Sequence, residues 1–484
     1  MSESVTPSDV RVRLHACPTG KPHVGLARTA LFGWALARSA GGAVSLVTHD
    51  ADPAWPDLLR WLGLDWDEGP GVGGPNGPYL RSARTGLYAD AARRLLESGA
   101  LYESFSTPAE VRARRRAAGQ DAKLGYDGFD RDSTDAWRAA LRAQGREPVL
   151  RLRMPERATE WVDLVRGPVD GGVLTDPVVV RATGEPTPAF ADAVDDAALG
   201  VTHVLRDEEF LASTPRRLAV AAALRGIGLG HSPLSFGHLP PVLGEGGRPL
   251  SERDPVALLA RYRERGFLPE GMRDALASLG WSTPDDRDAV GAAEMIRAFT
   301  PDRIVTHPVR FAEKKAEAVN AARLRALPVA GFVARVRPFL IADGVLPAVP
   351  TDAQLALLAD VAPLVRERLV VLSEASGMVR FLFAAEEDFA PEDEAAAVVG
   401  AGARPVLEAS AAALEGVAHW NAAAIEEALR ASLVDGLGLK PRLAYAPVRV
   451  AVTGRTVSPP LYESLELVGR DRSIGRLRRA LGAI

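Results

Sequence analysis

The opening of the chain leaves it few folds. Asp9 to Leu14 alternates polar and apolar residues and runs on to Pro18-Thr19-Gly20. Helical periodicity follows from Val24 to Ser39, then a second strand-like run, Ala43 to Thr48. A strand, a loop with glycine and histidine, a helix and another strand, in that order, predict a doubly wound α/β domain. Its ligands are expected at the carboxyl ends of the strands.

A single domain of this kind does not account for 484 residues, which predict roughly three to five domains. Tyr88 to Glu97 reads as a further helix. The stretch from about Pro108 to Thr183 differs in character, with the cluster Arg112, Arg114, Arg115 and Arg116 and short strands such as Val149 to Met154. It reads as an insertion, after which Val178 to Arg181 and Val201 to Leu205 return to the first sheet. From about Ser251 the pattern turns helical, with long segments such as Ala353 to Ser373 and Ala422 to Leu433, and Leu439 onward forms a compact terminal piece.

Composition narrows the setting. Hydrophobic residues make up 47% and charged residues 25%, as in ordinary soluble proteins. No apolar run reaches the roughly 18 residues that a membrane helix needs, and Met1 to Val10 has no basic, apolar leader. Cys17 is the only cysteine, which excludes an internal disulfide and any Cys-based zinc cluster. A cytoplasmic monomer is expected. The net charge of −4 still permits RNA binding, because one basic stripe is enough. Lysine occurs only at Lys21, Lys123, Lys314, Lys315 and Lys440.

The loop Pro18-Thr19-Gly20-Lys21-Pro22-His23-Val24-Gly25 sits in a longer phrase, Arg13 to Phe32. Further phrases follow in order: Leu62 to Pro70; Gly77-Pro78-Tyr79 with Ser82 and Arg84; Gly125-Tyr126-Asp127-Gly128; Val194-Asp195-Asp196; Gly200 to Val204 with Arg206; His238-Leu239-Pro240; Gly266 to Glu270; Gly280-Trp281-Ser282; and Arg449 to Arg455 with Ser458-Pro459-Pro460. Together they resemble the bacterial glutamyl-tRNA synthetases, class I aminoacyl-tRNA synthetases, over nearly the whole chain. The resemblance implies a Rossmann-type catalytic domain in two halves, 9–107 and 184–247, with an inserted acceptor-end domain at 108–183. A signature loop and stem-contact region would follow at 248–318, then helical anticodon-binding modules at 319–395 and 396–484. It also implies ATP with Mg2+, a small carboxylate or amino-acid substrate, and tRNA. Thr19, Gly20, His23, Gly25, Leu250 and Ser251 would meet ATP. A glycine admits the nucleotide, a helix N-terminus favours phosphate, and the histidine can donate to it.

Several positions depart from the family. Its second signature reads roughly Lys-Leu-Ser-Lys-Arg, where this chain has Arg248-Pro249-Leu250-Ser251-Glu252-Arg253-Asp254. Pro249 and Glu252 replace lysines that hold the triphosphate, leaving Ser251, Arg248 and Arg253 for that work. Each such donor is worth about 2.7–4 kcal/mol in the transition state, and arginine does not replace a compact ammonium directly. In the amino-acid pocket Arg13 and Arg206 match the family's carboxylate-binding arginines, suited to bidentate pairing. Cys17 and His49 stand where the family's serine and glutamate hold the substrate ammonium, Pro188 where it has tyrosine, and Asp192 where it has asparagine. Tyr102 to Thr107 lacks the cysteines of a zinc-binding relative, so no metal is expected there.

For tRNA, the candidates are Arg112 and Arg115 in the insertion and Arg449 and Arg455 in the tail, with Arg442, Arg476, Arg478 and Arg479 beside them. These departures make the leading expectation a repurposed paralogue in specialised metabolism, which binds ATP and tRNA and activates another carboxylate as an adenylate. The alternatives are a working glutamate–tRNA ligase with an unusual loop, and a non-catalytic RNA-binding protein.

Overall fold

β1 (Arg11–Leu14) leads through α1 (Val24–Ser39) to β2 (Ala43–Leu46), which pairs with β1 in parallel, Arg11 opposite Ala43 and Leu14 opposite Leu46. α1 is buried around most of its circumference, as a helix apolar on all sides must be. At Gly42 the backbone passes so close to Val10 that a Cβ would lie 2.2 Å from its carbonyl oxygen, so a glycine is needed for β2 to begin beside β1. α2 (Trp55–Trp61) and α3 (Thr85–Glu97) follow. The computed structural model describes residues 9–15, 21–50, 53–230, 233–283, 285, 287 and 290–484.

After α3 the chain leaves this sheet through β3 (Leu101–Ser104), α4 (Pro108–Ala117), α5 (Asp135–Ala143), β4 (Val149–Leu152), β5 (Glu160–Asp163), β6 (Gly167–Asp170) and β7 (Val178–Val180). α4 starts at a capping box between Thr107 and Glu110, with Pro108 in its first turn. β3, β4 and β7 form an antiparallel sheet of their own. The expected return of Val178 to Arg181 to the first sheet is therefore corrected: Val178 and Val180 lie opposite Arg151 and Leu150 of β4. Three consecutive valines specify a strand but not its partner. β3 belongs to the same sheet, so pairing within the insertion already begins at Leu101, upstream of residue 108.

The chain rejoins the first sheet through α6 (Pro188–Ala198), β8 (His203–Asp207), α7 (Thr214–Gly226) and β9 (Ser235–Leu239). β8 starts later than expected, because Thr202 is used by its Oγ1 to accept from the Arg11 amide at 2.8 Å. The completed sheet has the order β2–β1–β8–β9, all parallel. The order reverses between β1 and β8, which opens a crevice at their carboxyl ends, the usual ligand position in such sheets. The β5–β6 hairpin reaches this sheet too: the Leu164 amide donates to the Phe236 carbonyl at 2.8 Å.

Two units are present, one comprising Met1–Arg261 with Met272–Lys315, the other Tyr262–Gly271 with Ala316–Ile484. The second is helical. Its Asp352–Arg366 helix ends before the expected Ser373, and Ala422–Leu429 passes into a π-turn, Arg430–Gly436. The segment after Leu439 does not stand apart. Ala444, Val448, Leu461 and Leu477 share one core with Leu358, Leu407 and Leu414.

Candidate active site

The switch-point crevice is lined by an ion-pair network rooted on three elements. Arg13 on β1 is buried, and its Nε donates to Asp196 Oδ1 at 2.6 Å. Its Nη2 lies 3.5 Å from Asp192 Oδ1 and makes no hydrogen bond among the described residues. Asp192 and Asp196 are one turn apart on α6 and so share a face. Arg217 of α7 donates to Asp196 and, through Nη1, to the Ala189 carbonyl at 2.6 Å. Burial alone would lower the Arg13 pKa, but Asp196 and Asp192 raise it above its usual value.

Asp192 is also held by a residue that sequence reasoning missed. Arg81 Nη1 is 3.0 Å from Asp192 Oδ1 and 3.0 Å from His49 Nε2, and Arg81 Nη2 donates to the Pro188 carbonyl at 3.0 Å. Thr48 brings Arg81 to this place by pairing its amide and carbonyl with Tyr79 and Arg81. Burial would raise the Asp192 pKa, yet Arg13, Arg217 and Arg81 hold it down to about 2. Burial and Arg81 lower that of His49. His15, also missed, is pushed down to about 4 by burial and by Arg13. Its signal was available: His15 follows Arg13 by two positions in extended chain, so both face the same way. Pro188 opens α6 and contributes its carbonyl to Arg81.

Arg206 closes the other side from β8. Its Nε donates to His238 Nε2 at 3.1 Å, and its Nη2 to Thr214 Oγ1 at 2.7 Å and to the Phe210 carbonyl at 3.1 Å. Its guanidinium lies over the Phe236 ring, 4.9 Å from the centroid. Burial and Arg217 push its pKa down to about 10.

Of the residues expected at ATP, His23 and Gly25 lie at the start of α1. His23 is its N-cap, and Nδ1 accepts from the Leu26 amide at 3.3 Å. The proton is thereby assigned to Nε2, which can donate to a ligand. A Cβ at Gly25 would lie 3.1 Å from His23 Nδ1, so glycine is what lets the imidazole fold over the helix end. His23 pairs with Leu258, and the Leu259 amide donates to the Pro22 carbonyl at 3.0 Å, which brings the chain after the signature loop alongside. In the loop, Leu250 donates to the Val242 carbonyl and Pro249 lies opposite Leu243. Ser251 binds Asp254 Oδ2 through its amide at 2.9 Å and its hydroxyl at 3.1 Å. Arg248 and Arg253 are exposed. Cys17, Thr19 and Gly20 lie outside the described residues.

The arginines expected at tRNA divide into two groups. Arg112, Arg116 and Arg442 are exposed. Others are engaged internally: Arg115 with the Tyr126 carbonyl, Arg449 with Ser458 and Pro459, Arg455 with Glu392. Arg476 is corrected outright. It is 1% exposed and spends its donors on Val452, Phe381 and Glu386, so it is a core residue and is withdrawn from the RNA surface.

A parallel nucleotide fold split by an antiparallel insertion, its cleft opening on a histidine-capped helix, is the architecture of class I tRNA synthetases. Residues 9–318 match the catalytic domain of the class I tRNA synthetases for glutamate and glutamine, and residues 331–481 match an anticodon-binding domain; the chain belongs to this family. It is 56% identical to the glutamate–tRNA ligase of Saccharopolyspora erythraea, covering 98% of this chain and 96% of that one. It is 52% identical to that of Kineococcus radiotolerans, covering 98% and 97%. The crystal structure of a glutamate tRNA ligase from Elizabethkingia meningosepticum in complex with its amino acid matches with a TM-score of 0.80 at 26% identity, covering 98% of this chain and 99% of that one.

Proposed function

We propose that the protein is a glutamate–tRNA ligase. The α-carboxylate of glutamate attacks the α-phosphate of magnesium-bound ATP and pyrophosphate leaves; a terminal ribose hydroxyl of tRNA then attacks the carbonyl of the adenylate, forming the glutamyl ester and releasing AMP. The observation that carries this reading is the presence of Arg13 and Arg206 on adjacent parallel strands at the switch point, where two guanidinium groups suit a substrate with two carboxylates. The first turn of α1, with His23 at its N-cap and no acidic residue, suits phosphate. The extent and level of identity to glutamate–tRNA ligases favour this reading over a repurposed paralogue, and nothing supports a role in specialised metabolism. ATP–pyrophosphate exchange across a panel of carboxylates, with and without tRNA, tests it. Glutamate-dependent exchange is expected, and exchange with no amino acid in the panel would overturn it.

One observation favours a second reading, activation of a different carboxylate. Asp192 already sets a carboxylate beside Arg13 and Arg81, and His49 offers no negative charge to an ammonium. Under that reading the same panel gives a preferred substrate other than glutamate.

A further inference from the structure

Asp163 and His238 form a wholly buried pair that the proposed reaction does not itself use. Asp163 ends β5, in the hairpin of the inserted region, and His238 lies on β9; both side chains are 0% exposed. Asp163 Oδ1 accepts from the amides of Val165, Arg166 and His238 at 3.0–3.1 Å. Its Oδ2 lies 2.5 Å from His238 Nδ1. A carboxylate already bound by three amides accepts the fourth proton as well, so the imidazole carries its hydrogen on Nδ1. Nε2 is then left as an acceptor, and it faces Arg206 Nε at 3.1 Å and the Thr214 hydroxyl at 3.0 Å. The Thr214 oxygen in turn accepts from Arg206 Nη2. Arg206 Nη1 has no hydrogen-bond partner among the described residues.

We infer that Asp163 and His238 are positioning residues: Asp163 fixes the imidazole tautomer, and His238 Nε2 with Thr214 orients the Arg206 guanidinium so that Nη1 faces the substrate carboxylate. The inference rests on the reading of Arg206 as a carboxylate-binding residue. Its force lies in the number of groups that must agree. A proton on Nε2 would set two donors against each other at 3.1 Å, and the guanidinium would have to turn away. The arrangement also ties the inserted hairpin to the pocket, since a movement of β5 reaches Arg206 through two hydrogen bonds.

Asp163→Asn tests this with little change of shape. Its amide oxygen can keep the three backbone amides, while its nitrogen donates to His238 Nδ1 and moves the ring proton to Nε2. Nitrogen-15 NMR of the histidine ring reads the tautomer, and calorimetry reads L-glutamate and ATP binding by the full chain. The expected result is a switched tautomer, glutamate binding weaker by about tenfold or more, and unchanged ATP affinity. His238→Gln, whose side-chain oxygen can accept from Arg206, should bind glutamate within about threefold of wild type, whereas His238→Leu should lose about tenfold. If Asp163→Asn does not fold, the Gln and Leu pair decides. Folded Asp163→Asn and His238→Leu proteins that bind glutamate as wild type does overturn the inference alone. A wild type that binds no glutamate, or an Arg206→Lys variant that binds it undiminished, overturns the reading of Arg206 and this inference with it.

Discussion

Arg81 holds Asp192 at 3.0 Å at the sheet's switch point, and the same carboxylate lies 3.5 Å from Arg13. The pocket therefore contains an internal anion where an acidic substrate would place its own.

Replacing Asp192 by Asn should tighten glutamate binding about tenfold. Two like charges near 4 Å interact by about 4 kcal/mol at intermediate dielectric, and partial solvent exposure reduces this to roughly 1.4 kcal/mol. Stability should move the opposite way, because Arg81 loses its carboxylate. Calorimetric titration and thermal unfolding of one preparation give both signs; unchanged or weaker glutamate binding would clear Asp192 of any role in specificity.

His15 gives the pocket a pH signature. Its pKa falls from 6.5 to about 4 in the folded protein, so between those values the unfolded chain binds more protons. Stability is therefore complete above pH 6.5 and declines as pH falls through this window. At about 1.36 kcal/mol per pH unit the loss is on the order of 3 kcal/mol. His15→Gln should shrink the difference in urea stability between pH 7 and pH 4 by up to that amount. Asp192 acts in a lower window, from 3.8 down to about 2, where its contribution disappears on protonation.

How far the sequence reveals this site depends on the interaction involved. α1 spans Val24–Ser39 as its periodicity predicts, because local apolar spacing is what buries a helix. β7 is legible as a strand but its partner is not, since pairing is decided by residues far along the chain. Arg13 and Arg206 are singled out by their positions in family phrases and His49 and Asp192 as departures from the family pattern; in the structure Arg81 meets His49 and Asp192, and Asp192 lies beside Arg13. Arg81 itself, in a short 3₁₀ turn, looks like any other arginine in an arginine-rich chain. Asp163 is hidden for the same reason: its partner His238 lies 75 residues away.

The signature loop makes its own prediction. Pro249 and Glu252 stand where the family resemblance implies two lysines, and one lost donor at about 2.7 kcal/mol would slow adenylation roughly a hundredfold. Pro249→Lys with Glu252→Lys should raise glutamate-dependent pyrophosphate exchange by up to about that factor. If Asp192 and His49 limit the reaction instead, the double change will act only in an Asp192→Asn, His49→Glu background. A double variant no faster than wild type in either background would show that the loop arginines, Arg248 and Arg253, already supply the charge.

The arginines of the terminal helix Arg470–Gly482 separate a structural role from an RNA role. Arg476 is sealed in the core, stacked on Phe389 at 3.6 Å and bonded to Val452, Phe381 and Glu386. Removing one partner of such a buried set leaves carbonyls and a carboxylate short of donors, at a cost of about 3–5 kcal/mol. Arg478, paired with Glu415 and 65% exposed in its side chain, should cost less than about 0.5 kcal/mol. Arg476→Met should therefore unfold at much lower urea while its folded fraction keeps the wild-type salt dependence of tRNA binding. A phosphate contact behaves differently, since its loss reduces the salt slope by about one. A stable Arg476→Met protein with a reduced salt slope would return this residue to the RNA surface.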